Sequence, residues 1–411
     1  MSGKLCIYHE GTGDNSMFFL DGNNPEKMRQ VSLPEGWKAE LENGKMMAFS
    51  NKLGMKWNIE DCLHSENGDP VLMGPEGEVV SLKYTMDSFA KEIGSSLKNY
   101  LPSELKGRDV SIRNVSKTNR PQLHSLVLQS KSASLPAAEP SIYLEDFYPG
   151  YKKGLSMDEI LRDIAREETT LYRTPDFEFQ KMAEEVIQNA FNWDYMKDRV
   201  VISAVGADLN REMLSDVPHQ TIGDIAGIYR IYVGESSSGA GFITVTDQMM
   251  ERWGITQDEL NEAALSNSAA VQPARLGSMF EVLNDMTDGE LPDDPSIGST
   301  LYVLTNKQKM HGAGVLFYPG IQEKISAVFP DGCYILPSSI HEVLLVQKEN
   351  MDPEDLMEMV RAVNDTTVSR EDLLSYKVHE YDPATRTIGL AGQVNDLNRS
   401  MEAEMEVSRK L

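Results

Sequence analysis

Asp331 to Lys348 reads DGCYILPSSIHEVLLVQK, and the reading of this stretch decides both the fold class and the search for a site. Tyr334, Ile335 and Leu336 make one short apolar strand, and Val343 to Val346 make another. Short apolar runs bounded by turn residues are the signature of buried strands. Between them Pro337 breaks the pattern, and Ser338, Ser339, His341 and Glu342 gather hydroxyl, imidazole and carboxylate beside a core element. If the break stays extended, side chains alternate, so Ser339 and His341 share one face while Ser338, Ile340 and Glu342 take the other. A Ser–His–acid relay needs the base within hydrogen-bond reach of both partners, which neighbours in one strand do not provide. His341-Glu342 also departs from the HExxH zinc pattern, because Leu345 stands where the second His belongs. The expected role of Ser338, Ser339, His341 and Glu342 is therefore a polar break facing a partner, with no catalytic residue assigned.

Outward from this stretch the chain alternates helix and strand. Thr85 opens an amphipathic helix over Met86 to Tyr100, with Phe89, Ala90, Ile93 and Leu97 on one face. Val110 to Val115 and Leu123 to Leu128 follow as two strands. Ser156-Met157-Asp158-Glu159 is a capping box opening a helix whose inner face carries Ile160, Leu161, Ile164 and Ala165. Strands are expected at Ile225 to Val233 and Phe242 to Val245, with the Gly-rich loop Gly234 to Gly241 joining them as a flexible hairpin. That loop joins strand to strand and has no following Lys-Ser/Thr, so a phosphate cradle is not expected. Thr246 to Trp253 and Thr256 to Leu265 read as two short helices around Gly254. The second bears Asp258, Glu259 and Glu262, which does not suit a DNA-reading helix. Phe242 to Asp247 and Leu301 to Asn306 echo each other weakly, as two related αβ units would.

The first 82 residues differ. Asn-Gly at 43–44 favours the type I′ hairpin turn, placing strands at Trp37 to Leu41 and Lys45 to Phe49 with Trp37 and Trp57 in the core. The division expected from these patterns is a small β-rich module over 1–82, α+β regions over 83–290 and 291–392, and a helical tail over 393–411. The fold class is α+β, with mixed or antiparallel sheets.

A chain of 411 residues with 40% hydrophobic and 25% charged residues has the composition of a globular protein with more than one core. A net charge of -25 repels phosphate backbones, so nucleic-acid binding is disfavoured, and no apolar run reaches the length of a membrane span. Cys6, Cys62 and Cys333 are far apart, and MSGKLCIYHEGTG has no apolar signal-peptide region. Free thiols in a reducing cytoplasm are the expectation. Cys62 and His64 have no second pair to complete a zinc site. The acidic loop Asp285 to Pro295 fails the calcium-loop pattern, since Met286 and Pro295 fall where oxygen ligands belong. No cofactor or metal is expected.

Four stretches, SIYLEDFYPGYKKGLSMDEILRDIA (141–165), ITVTDQMMERWGITQDELNEAALSN (243–267), YVLTNKQKMHGAGVLF (302–317) and DGCYILPSSIHEVLLV (331–346), resemble an uncharacterised domain-of-unknown-function family of anaerobic gut bacteria and their mobile elements. The block over 243–267 is more distantly similar to the YtpQ-like uncharacterised family. The resemblance spans about 85 to 390 and carries no activity or catalytic residues. The acidic surface, the absent catalytic motifs and a resemblance to a family without known chemistry together give the expected function: a non-enzymatic interaction or accessory protein, such as one of a mobile element, with a protein partner. Two alternatives stand: a hydrolase-like enzyme joining His341 or Glu342 to distant residues such as His219 or His379, and a nucleic-acid-associated protein.

Overall fold

The computed structural model describes residues 5–8, 16–20, 28–130, 139–174, 176–236, 239–286, 301–337, 339–348 and 352–392. It is α+β, with short helices among several small antiparallel sheets. The chain forms two compact units. Unit 1 is Met1–Val115 with Gln122–Pro175. Unit 2 is Ser116–Pro121 with Asp176–Leu411.

Unit 1 does not divide near residue 82, where the sequence pattern changes. One hydrophobic core runs from Met17, Trp37 and Trp57 through Phe89 and Ile93 to Ile160 and Ile164. Burial of a shared apolar surface, rather than a change of periodicity, sets the unit. Trp37 and Trp57 pack with ring centroids 5.0 Å apart, and both are buried. The Asn43-Gly44 hairpin forms as expected, pairing Lys38–Glu42 with Lys45–Ser50. The helix Met157–Arg173 carries the expected capping box of Ser156 and Glu159. Its buried stripe of Ile160, Leu161, Ile164 and Ala165 continues to Glu168, which is fully buried with neither carboxylate oxygen hydrogen-bonded.

Unit 2 holds two larger sheets. The first contains β1 (Val200–Gly206), β2 (His219–Ile222), β3 (Ile225–Ser236) and β4 (Gly239–Thr244). Here β3 is the spine, with β1 along one side and β2 and β4 along the other. The second contains β5 (Ala274–Ser278), β6 (Leu301–Asn306), β7 (Cys333–Leu336), β8 (Val343–Gln347), β9 (His379–Asp382) and β10 (Thr387–Leu390), in the order β5-β6-β8-β7-β9-β10. The two strands of the decisive stretch thus pair with each other, Leu336 opposite Leu344, in the middle of this sheet. That position explains their continuous apolar character.

The strands on either side of the Gly-rich segment pair as the expected hairpin, Arg230 opposite Thr244 and Ser236 opposite Gly239. β3 runs on to Ser236 and β4 starts at Gly239. A side chain at Gly234 would collide with Met182, and one at Gly241 with the Phe179 ring. Both contacts come from the helix Phe177–Gln188, so these glycines let a helix lie close on the strands. The two helices around Gly254 form, over Asp247–Trp253 and Gln257–Val271, with Gly254 left-handed at the turn. The echo between 242–247 and 301–306 ends early. Thr246 caps a helix, whereas Asn306 leads into a turn followed by the 3-10 segment Gly312–Phe317. The expected tail helix over 393–411 and the loop beyond Met286 lie outside the described residues. Among the described residues, no helix is long and apolar enough to cross a membrane.

Candidate functional site

Between β7 and β8, Ser339 to Glu342 turn the chain and are not an extended strand. Ser338 lies outside the described residues. The turn closes on itself. Ser339 Oγ donates to Glu342 Oε1 at 2.8 Å and accepts from the His341 main-chain N–H at 3.0 Å. The Ser339 N–H donates to the Glu342 carbonyl at 3.3 Å. Alternation assigned Ser339 and Glu342 to opposite faces. The turn brings them together instead, because a side-chain oxygen that satisfies nearby main-chain donors stabilises turns over strands.

Two other segments hold the turn in place. Thr305, at the end of β6, donates its hydroxyl to the His341 carbonyl at 2.7 Å. Asn306 bonds both the N–H and the carbonyl of Met310, pinching the loop between them. The loop leaves through His311, whose φ of 51° is left-handed. The His311 N–H then donates to His341 Nδ1 at 3.2 Å. Gly312 follows because a Cβ there would overlap the Thr305 hydroxyl and the His341 carbonyl. From the other side, the Asp372 carbonyl accepts from the Ile340 N–H at 2.7 Å, and Asp372 Oδ1 meets His341 Nε2 at 3.1 Å. Ser369 donates to the other Asp372 oxygen at 2.8 Å.

These contacts assign the imidazole. Nδ1 accepts a main-chain N–H, so it carries no proton, and Nε2 carries the proton donated to Asp372. Both ring nitrogens are engaged, and neither is free to take a proton from a substrate or to hold a metal. The Ser339 hydroxyl points its proton at Glu342, not at an imidazole. Among the described residues of this turn there is no hydroxyl–imidazole pair of the kind that activates a nucleophile. Among the described residues no group of three His, Cys, Asp or Glu side chains converges as a metal site would require.

The imidazole brought beside His341 belongs to His311, with ring centroids 5.5 Å apart, and Phe242 packs edge-on against His311 at 5.4 Å. Burial, the Arg230 charge and His341 push the His311 pKa down to about 3, so its ring is neutral at physiological pH. Sequence reading passed over His311. The available signal was a His directly before Gly-Ala-Gly at the exit of a strand.

His219 and His379 are placed in other surroundings. His219 Nδ1 lies 2.8 Å from the Val217 carbonyl. His379 is fully buried on β9, with Nε2 3.1 Å from Asp224 Oδ1 but off hydrogen-bond alignment. Asp224 also accepts from Ser375 at 2.7 Å and lies 3.6 Å from Lys377. Burial alone would raise the Asp224 carboxyl, but its contacts to His379, Ser375 and Lys377 outweigh this and hold it below the usual range. The carboxylate stands between hydroxyl and imidazole, so the imidazole cannot activate the serine.

A match to the model of a family of unknown function, DUF5688, covers residues 86–383, and the chain belongs to that family. The matched span contains every residue of the turn and of its supports. No curated protein and no solved structure matches the chain.

Proposed function

We propose that this member of a family of unknown function works by binding a protein partner, not by turning over a substrate. The observation that supports the reading is the closed state of the turn. Ser339, His341 and Glu342 spend their hydrogen-bonding capacity on one another, on His311 and on Asp372. Such a constellation has a fixed shape, and both ring nitrogens of His341 are already engaged. His341, Glu342 and Asp372 keep part of their surface exposed, so the turn presents a rigid polar edge beside an apolar sheet. Rigid presentation lowers the ordering cost of association. The acidic balance of the chain favours a protein partner over nucleic acid. We place the partner in the cytoplasm, in keeping with three widely spaced cysteines. An accessory role in a mobile element rests on the family resemblance.

The test is affinity capture from the native host with the wild-type chain and with Glu342→Lys, followed by a binding measurement on the purified partner. A defined partner whose affinity falls at least about tenfold with Glu342→Lys supports the reading. A purified chain with turnover that His341→Ala abolishes would overturn it in favour of the enzyme alternative. A salt-sensitive complex with DNA or RNA would support the nucleic-acid alternative instead.

A further inference from the structure

Arg230 on β3 is not used by the turn. The residue is 7% exposed. A guanidinium has five N–H donors, and among the described residues an acceptor is supplied for only one nitrogen: Nη2 donates to the Thr118 hydroxyl at 2.7 Å. Nε is sealed from solvent without a partner, and no carboxylate pairs with the group among the described residues. Burial lowers its pKa only to about 10, so it stays charged at neutral pH. A buried charge is ordinarily paired, because an unpaired one costs several kcal/mol. A second unpartnered nitrogen, Nδ1 of His311, is sealed on the same face of the sheet: the His311 ring packs on Phe242, whose own ring packs 5.6 Å from that of Tyr232, two residues along β3 from Arg230. Asp372 forms no salt bridge with Arg230; its carboxylate bonds His341 and Ser369 instead.

We propose that Arg230 and His311 form an anion site in unit 2, taking one carboxylate or phosphate group. Nε belongs to the edge of a guanidinium that receives an oxyanion through two parallel hydrogen bonds, and Thr118 orients that edge. A neutral His311 has one N–H to offer an anion. The site is independent of the protein-binding reading above and stands or falls separately.

The experiment is a thermal-unfolding titration of the full chain at fixed ionic strength in chloride, with sodium phosphate and, in a separate arm, sodium acetate. The expected result is a saturable rise in Tm with one or both anions. It should be absent in Arg230→Met, and its midpoint should move at least about tenfold higher in Thr118→Val. The arm that responds identifies the group recognised. No saturable rise with either anion overturns the site, as does a rise that Arg230→Met or Thr118→Val leaves unchanged. If Arg230→Met does not fold, the wild-type and Thr118→Val titrations decide.

Discussion

The main-chain N–H of His311 donates to Nδ1 of His341 at 3.2 Å, and this contact sets which nitrogen of His341 carries the proton. Thirty positions separate the two residues, so the tautomer of a central side chain depends on a loop elsewhere in unit 2.

Nitrogen-15 spectra of the imidazoles should therefore show His341 as the Nε2–H tautomer at neutral pH. Asp372→Asn should leave that assignment unchanged, because the Nδ1 acceptor role comes from the His311 main chain. A spectrum showing Nδ1–H would contradict the closed-turn geometry.

Gly312→Ala should destabilise unit 2 by about 3 kcal/mol, measured from denaturant midpoints at constant m-value. The added methyl meets the Thr305 hydroxyl and the His341 carbonyl, neither of which has room to retreat without breaking the bond between them. A loss below about 0.5 kcal/mol would show that the loop yields more freely than its contacts imply.

Glu168 makes unit 1 sensitive to pH. Burial first, and then Glu167 and Glu139 against the opposing pull of Arg108, raise its carboxyl to about 8. The folded state favours the protonated form. Its contribution is fully present below the ordinary value of 4.5, declines as pH rises and is lost above about 8. Glu168→Gln should remove that slope, so that wild type minus variant changes by on the order of a few kcal/mol between pH 5 and 9. Urea midpoints across the range check it, and a constant difference would count against the buried acid.

Asp224→Ala should cost about 3 kcal/mol, since it strands Ser375 and the fully buried His379 and leaves Lys377 with Asp208 alone. Asp224→Asn, which keeps an acceptor, should recover part of the loss. Equal losses in the two variants would mean that the charge, not hydrogen bonding, is what the cluster needs.

Local pattern reached the strands around the turn but not the turn itself. Cys333–Leu336 and Val343–Gln347 lie where apolar runs placed them, and the capping box at Ser156 formed as written. Period and composition report a residue's own element, and they succeed where burial on that element decides the structure. His341 depends instead on His311 and Asp372, which arrive from thirty or so residues away on either side. The alternation argument presumed an extended break, and the Ser339–Glu342 bond shows why it failed. The glycines at 234 and 241 mislead in a related way. Their reason is the helix lying against them, which the sequence around them does not display. Glu168 was legible as the next position on an apolar stripe, though its charge drew the eye away.

The segment Ser116–Pro121 belongs to unit 2 although the strand on either side belongs to unit 1. Asn119 donates its amide to the carbonyl of Leu373 at 2.6 Å, across 254 positions of chain. At a ribosomal pace of about 5–20 residues per second, Asn119 waits on the order of ten to fifty seconds for that carbonyl to be made. A nascent chain halted before residue 373 carries this tip with its final acceptor still unsynthesised. Truncation between residues 119 and 373 is therefore an error of timing as much as of length, because Leu373 completes a contact begun 254 positions earlier.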